Sequence, residues 1–226
     1  MGNYVWPETV RAALNKPRKR EEKIVKIYNS ATAPNPRRVR IFLAEKGIQV
    51  PYEEVDIVKA VNRGAEFRKK NSLAAVPVLE LDDGACIAES VAICRYFEEI
   101  HPEPPLFGVD AKDRAIVEMW NRRMEFALFI PIADAFRQRH EFFKGRIRQL
   151  PEYAETQRLN AEDALQWLDG ELASQRFIAG PRFTIADITA MVAIDFGRVS
   201  KIAIKPEQKN LARWYAEVSS RPSAKA

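Results

Sequence analysis

The chain has 226 residues, 46% of them hydrophobic, enough for one large domain or two small ones with real cores. No apolar run approaches the roughly 20 residues that span a bilayer, and the first residues carry no stretch of signal-peptide type, so neither a membrane protein nor a secreted one is expected. The two cysteines, Cys86 and Cys94, sit neither in a CxxC pair nor at metal-ligand spacing from a histidine, which argues against a disulfide scaffold and a zinc site.

The formal net charge of +5 is unevenly spread, with +3 in residues 1–23 and +2 over the rest. Lys16-Pro17-Arg18-Lys19-Arg20 reads as a solvated leader, and a basic tail on a balanced body does not make a nucleic-acid-binding domain. Lys23 to Tyr28 alternates polar and apolar residues and predicts a strand. Pro34-Asn35-Pro36 precedes a helix from Arg37 to Lys46, with Val39, Phe42 and Leu43 on one face and Gly47 as the stop. Tyr52 to Val58 predicts a second strand and Glu66 to Lys70 a short helix. Pro77 to Leu81 and Ala85 to Ala88 form a hairpin around Asp83-Gly84. Ser90 to Ile100 is a helix burying Ile93, Phe97 and Ile100. The order is β-α-β-α-β-β-α, and its strand–helix–strand opening implies a parallel, right-handed crossover.

His101-Pro102-Glu103-Pro104-Pro105 is a stiff linker, and everything after it is helical in pattern. Asp110 to Arg139 is a long helix that Pro131 should kink. Pro151 to Ser174 carries Ala161, Ala164, Leu165, Leu168 and Leu172 at core spacing. In Phe183-Thr184-Ile185-Ala186-Asp187-Ile188, Thr184 is the N-cap, Asp187 reaches back from the third helical position and Phe183 staples to Ile188, a structural motif. The last helix runs from about Pro206 to Ser219. The expected organisation is a basic extension over residues 1–23, an α/β domain over 24–101, a linker over 102–109 and an all-α domain over 110–226.

Two spots in the α/β part carry chemistry. Pro77 heads an apolar run and cannot donate to a sheet ladder, so it shapes a turn, through a cis bond if the chain requires one, and leaves a strand edge exposed at Val76. Glu89-Ser90 places a carboxylate and a hydroxyl at a helix start, where unpaired N–H groups and the helix dipole favour an anion. Together they can hold a peptide-like ligand.

These residues resemble the cytosolic glutathione transferases over about residues 24–226. The likeness is carried by Val76-Pro77 with Leu79-Glu80, by Glu89-Ser90 within Ile-Ala-Glu-Ser-x-Ala-Ile, by the proline-rich linker and by Phe-Thr-Ile-Ala-Asp-Ile. Pro34 and Pro36 to Gly47 are similar to the first helix of bacterial and fungal members. The resemblance implies a thioredoxin-like N-terminal domain, an all-helical C-terminal domain and a homodimer. It makes Pro77 the family's cis-proline position. It has Val76 pair its backbone with the cysteinyl part of glutathione, as an added strand would. It gives the γ-glutamyl amine and carboxylate to Glu89 and Ser90. It offers Arg63 or Lys59 for the glycyl carboxylate.

The thiol must ionise to react, and here the chain departs from the family's Tyr, Ser or Cys. Registration on Pro34 and Arg38-Val39-Arg40 puts Ala33 at the Ser/Cys position, with only a backbone N–H to offer. Tyr28 comes too early. Ser30 and Thr32 are nearby hydroxyls, and Asn35 could reach the sulfur or cap the first helix, the role asparagine favours. The chain is most similar to an atypical fungal and bacterial group in which the first helix start and polar groups of the helical domain assist the thiolate. Arg137, four residues after Ala133 on one helical face, is the candidate there, with His140 as an alternative; His101 belongs to the linker. Phe126, Phe129, Phe136, Phe142 and Phe143 are aromatic candidates for an acceptor site between the domains.

The expected function is conjugation of glutathione, as co-substrate, to small apolar electrophiles, with glutathione-dependent peroxide reduction as a related activity. A non-catalytic glutathione-binding or interaction module, suggested by Ala33 and the basic leader, is the rival reading. An isomerase or thiol reductase is a third, and the reductase form is disfavoured because Ala31 to Asn35 contains no cysteine. No metal, nucleic-acid partner or membrane is expected, and the location implied is cytoplasmic.

Overall fold

The computed structural model describes residues 25–226; the basic leader and the beginning of the strand expected from Lys23 lie outside the described residues. Strand β1 (Lys26–Asn29) leads into helix α1 (Pro34–Glu45), then strand β2 (Tyr52–Glu54), helix α2 (Ala65–Lys70), the hairpin of β3 (Val78–Glu80) and β4 (Cys86–Ala88), and helix α3 (Ser90–Ile100). The sheet order is β2-β1-β3-β4, with β1 and β2 parallel and the other pairs antiparallel. This is the expected mixed α/β half, followed by a helical half.

Local chemistry sets the element ends. Helix α1 begins at Pro34, three residues before the expected start, because proline is tolerated in a first turn whose N–H groups lack partners anyway. Its N-cap is Ala33, so Asn35 stands at the second helical position and does not cap the helix. Strand β2 stops at Glu54, short of Val58: the Val55 N–H still reaches the Asn29 carbonyl at 2.8 Å, but Asp56 then accepts the Lys59 N–H and turns the chain. In α3, Ile93 and Phe97 are buried as expected, whereas Ile100 is 50% exposed at the last residue of the helix.

Both faces of the sheet are covered. Ile27 and Leu79 pack with Val39, Phe42, Leu43, Ile93 and Phe97 in the main core. Tyr28, Val55, Phe67 and Val78 form a smaller cluster on the other face. Helix α1 is buried on more than one side, since Arg38, Ile41 and Phe42 are all inaccessible. The buried Lys46 ammonium just beyond it binds the Glu98 carboxylate at 2.7 Å and the carbonyls of His101 and Pro104 at 2.7 and 2.8 Å, pinning the linker. The Val76-Pro77 and Glu103-Pro104 peptides are cis.

The helical half comprises α4 (Ala111–Arg123), α5 (Ile130–Arg137), α6 (Pro151–Glu171), α7 (Ile185–Gly197) and α8 (Lys209–Ser219). The interruption expected at Pro131 is a π-helical turn, Met124–Phe129, lying before it. The Ile130 N–H bonds back to the Glu125 carbonyl, five residues earlier. This wider turn takes up the misfit of a proline that lacks an N–H and crowds the preceding turn. Helix α7 is buried along almost its whole length, and its capping box of Thr184 and Asp187 is formed as expected. Helix α8 starts at Lys209 rather than near Pro206, because the Gln208 side chain first closes a turn onto the Lys205 N–H. Among the described residues no helix is long and apolar enough to cross a membrane.

Candidate functional site

A cleft of about 610 Å³ opens where the starts of α1 and α3 face the π-helical turn and α5. Asn35 and Arg38 come from α1, Glu89 and Ser90 from the start of α3, Glu125, Phe126 and Phe129 from the π turn, and Ala133 and Arg137 from α5.

The hairpin brings the two sequence-predicted binding spots together. Val78 pairs with Ala88, so Val76-Pro77 enters the sheet where Glu89-Ser90 leaves it. Asn71 donates to the Ala75 carbonyl at 2.9 Å and Asn62 to the Ala74 carbonyl at 2.6 Å, fixing the loop ahead of Pro77. The Val76 N–H and carbonyl make no hydrogen bond among the described residues, leaving a short open strand edge. Glu89 is exposed, with a left-handed φ of 67°, a conformation that costs a non-glycine residue free energy and clusters at ligand clamps. Its carboxylate has no hydrogen-bond or ion-pair partner among the described residues. Ser90 is buried beside it, and its Oγ accepts a hydrogen bond from Arg38 Nη1 at 2.8 Å.

The residues expected near a thiol are dispersed. Ser30 is buried, Thr32 is exposed, and the Ala33 N–H is already bonded to the Ser30 carbonyl at 3.1 Å; none of the three lines the cleft. Asn35 does line it. With prolines at 34 and 36, Asn35 supplies the sole N–H of the first three positions of α1. Arg137 also lines the cleft, half-exposed, with one long contact of 3.4 Å to Asp134. His140 does not: its Nδ1 accepts the Phe142 N–H at 3.1 Å and its ring lies against Phe136, facing a separate cavity. Tyr28 is buried on the far face of the sheet and donates to Glu80 at 2.5 Å. Lys59 is exposed and paired with Asp56 at 3.3 Å, and Arg63 is exposed; neither lines the cleft.

Of the aromatic candidates, Phe126 (61% exposed) and Phe129 (buried) wall the cleft. Phe136, Phe142 and Phe143 instead stack edge-to-face among themselves elsewhere, joined by Phe196. The cysteines take no part. Cys94 is buried and burial pushes its thiol far up; burial also raises Cys86.

Sequence reasoning used Arg38 only to set a register and overlooked it as a site residue. Arg38 is 2% exposed, and its guanidinium lies 4.9 Å from the Phe129 ring and approaches Glu125 Oε1 at 3.2 Å. Burial lowers its pKa and Glu125 opposes that, but an arginine keeps its charge in a protein. The signal was its place four residues before Phe42, on the margin of the buried stripe of α1. A row of ion pairs leads away from it: Glu125 to Arg122 at 2.8 Å, Arg122 to Glu118 at 2.8 Å and Glu118 to Arg95 at 3.2 Å. The cleft therefore offers a carboxylate and a hydroxyl at one end and aromatic walls at the other, while the free edge at Val76 lies outside its lining. An amino-acid head group fits the first end, since the carboxylate suits its ammonium and the hydroxyl and helix start suit its carboxylate.

Comparison with known proteins adds family information. The family model "Glutathione S-transferase, N-terminal domain" matches residues 27–105, and "Glutathione S-transferase, C-terminal domain" matches 120–222. The chain is 33% identical to glutathione S-transferase 2 of Saccharomyces cerevisiae over 214 residues, covering 92% of this chain and 90% of that protein. It is 27% identical to glutathione S-transferase F11 of Arabidopsis thaliana, covering 89% and 96% respectively. Among solved structures, Gtt2 of Saccharomyces cerevisiae aligns with a TM-score of 0.85 at 33% identity, covering 88% of this chain and 98% of that one. A glutathione S-transferase domain-containing protein of Marinobacter aquaeolei VT8 aligns with a TM-score of 0.84 at 39% identity, with the same coverage.

Proposed function

The chain belongs to the glutathione S-transferase family and is a glutathione transferase, and from that premise we propose that it conjugates glutathione to small apolar electrophiles, with glutathione-dependent peroxide reduction as a second use of the same thiolate. In this reading Val76 pairs its backbone with the cysteinyl unit, next to the cis Pro77, while Glu89 takes the γ-glutamyl ammonium and Ser90 its carboxylate. Arg63 or Lys59 serves the glycyl carboxylate. Asn35, with the Ser30, Thr32 and Ala33 loop one turn before it, and Arg137 across the cleft favour the thiolate. That sulfur attacks the electrophilic carbon, a C–S bond forms as the leaving group departs, and the thiol proton passes to solvent. Phe126 and Phe129 receive the apolar acceptor. We further place the enzyme in detoxification, as a cytoplasmic homodimer.

One observation carries the proposal: the unpartnered Glu89 carboxylate lines an aromatic-walled cleft, and the unbonded edge at Val76 precedes the hairpin strand that pairs with the one leading into Glu89. The test is calorimetric binding of glutathione to the full chain, followed by conjugation of an aryl halide. Binding with turnover is expected. Absence of binding overturns the reading. Tight binding with no turnover across a broad electrophile panel turns it to a glutathione-binding module, the alternative that Ala33 favours.

A further inference from the structure

The loop between β2 and α2 is held from the helical half. No residue from 56 to 66 is buried, so the loop has little apolar anchorage of its own. Ala60 within it takes a left-handed φ of 59°, which a residue other than glycine keeps only where its surroundings fix it. Arg146, from the connection between α5 and α6, donates to the carbonyls of Ile57 and Val58 at 3.3 and 3.1 Å. Its guanidinium lies 4.1 Å from the centre of the Phe142 ring and has no carboxylate partner among the described residues. The connection is braced to hold that position. Gln149 donates to the carbonyls of Arg137 and His140 at 2.9 and 3.0 Å, and the Leu150 N–H donates to Gln138 Oε1 at 2.8 Å, closing its neck against the end of α5. Phe142 stacks edge-to-face on Phe143, which meets Phe136 of α5. On its other side the loop reaches toward the open strand edge, where Asn62 donates to the Ala74 carbonyl, two residues before Val76.

We propose that Arg146 is a positioning residue that sets the loop of Lys59 and Arg63 at the glycyl end of bound glutathione. A guanidinium only donates, and its planar fork spans two adjacent carbonyls where an ammonium is a single point. The Phe142 face beneath it takes the place of a counter-ion. Because Arg146 spends its donors on the backbone, it orients the loop and leaves the ligand to the side chains that follow, Lys59 next to the Val58 carbonyl and Arg63 one turn on. Untied, a loop with no buried residue samples several arrangements, and seating the glycyl carboxylate then costs the entropy of ordering it. The same connection closes on the Arg137 carbonyl, so the helix that brings Arg137 to the cleft also fixes the far end of the tripeptide's seat.

This inference rests on the reading that Lys59 or Arg63 receives the glycyl carboxylate, and the experiment separates the two. Dissociation constants are measured by calorimetry for glutathione and for γ-glutamylcysteine, which lacks the glycine. The proteins are the full-length wild type, Arg146→Met, Arg146→Gln, and Lys59→Ala/Arg63→Ala alone and combined with Arg146→Met. Wild type is expected to prefer glutathione by about tenfold or more, the scale of a hydrogen bond to a charged group. Arg146→Met erases most of that preference through weaker glutathione binding alone, while its affinity for γ-glutamylcysteine holds and reports an intact fold. Arg146→Gln, which keeps an amide donor for a carbonyl but no charge, retains part of the preference. Adding Arg146→Met to the loop double variant costs nothing further. A wild type without preference, or a preference that survives in Lys59→Ala/Arg63→Ala, overturns the loop as the glycyl seat and this inference with it. Where that seat stands, a preference that survives in Arg146→Met, equal losses for both ligands, a further loss in the combined variant, or a glutamine variant no better than methionine overturns the role of Arg146 alone.

Discussion

Asn35 and Arg137 reach the cleft from opposite sides, while the loop residues Ser30, Thr32 and Ala33 do not line it. A thiolate between them would meet an amide donor and a guanidinium, both of which favour the charged form. Arg137→Met is expected to raise the apparent pKa of enzyme-bound glutathione by about one unit, since a positive charge at cleft distance is worth that much to an anion. The thiolate's ultraviolet absorbance, followed against pH, measures it. Asn35→Ala should cost more in kcat/KM than Thr32→Ala; the reverse order would give the loop the larger share of the activation. Residue types pointed to Glu89 and Ser90, and both line the cleft. They did not announce Arg38, because an arginine on the margin of a helix's apolar stripe is ordinarily a solvated charge, and this one is buried.

Elements with a local signature were legible from the chain alone. Ser90–Ile100 and the Thr184–Asp187 capping box appear where propensity and spacing put them. The π turn did not show, because a helical hydrophobic period looks the same whether a ladder bond closes on the fourth or the fifth residue. The capping box also has a pH signature. Burial pushes the Asp187 carboxyl from 3.8 up to about 6, against the pull of the Ile178 and Thr184 N–H groups, the Thr184 hydroxyl and the Trp214 indole N–H. Between those values the folded state holds a proton that the unfolded state has released. The corresponding stability is present below the lower value and is lost as pH rises through the higher one, at about 1.4 kcal/mol per unit. Urea melts on either side of that window should show the advantage of wild type over Asp187→Asn shrinking as pH rises. A constant difference would mean that Asp187 stays ionised throughout.

At the scale of the molecule, α1 fastens the two halves together. Arg37 binds Asp195 on α7 at 2.7 Å and the Ala224 carbonyl at 3.0 Å. Glu45 receives Arg221 through both oxygens at 2.8 and 2.6 Å, with Ser223 as a third donor. These partners stand 158 and 176 positions apart, and a single sequence carries no mark of which distant charge meets which. The overall architecture was readable because it follows from local periodicity and order; the contacts between the halves were not, because they follow from packing. Arg221→Ala is expected to lower unfolding stability by about 2 kcal/mol, the scale of hydrogen bonds to a charged partner. Burial raises the Glu45 pKa, but Arg221 and Ser223 outweigh it and leave it lowered. The contribution of this bridge is thus present above the ordinary glutamate value and lost as pH falls through the lowered one, so the deficit of Arg221→Ala should shrink in acid. A deficit that is the same at neutral and acid pH would remove Glu45 from the account.

The π turn also makes chain length a condition of the site. A helix advances by about 100° per residue. Deleting Ala127, which is exposed and does not line the cleft, would leave α4 and α5 free to form. It would nevertheless turn α5 by that angle about its axis, carrying Ala133 and Arg137 off the wall. An insertion or deletion in this segment changes the cleft while every side chain that lines it remains in the gene, so the number of residues between α4 and α5 is itself part of the site.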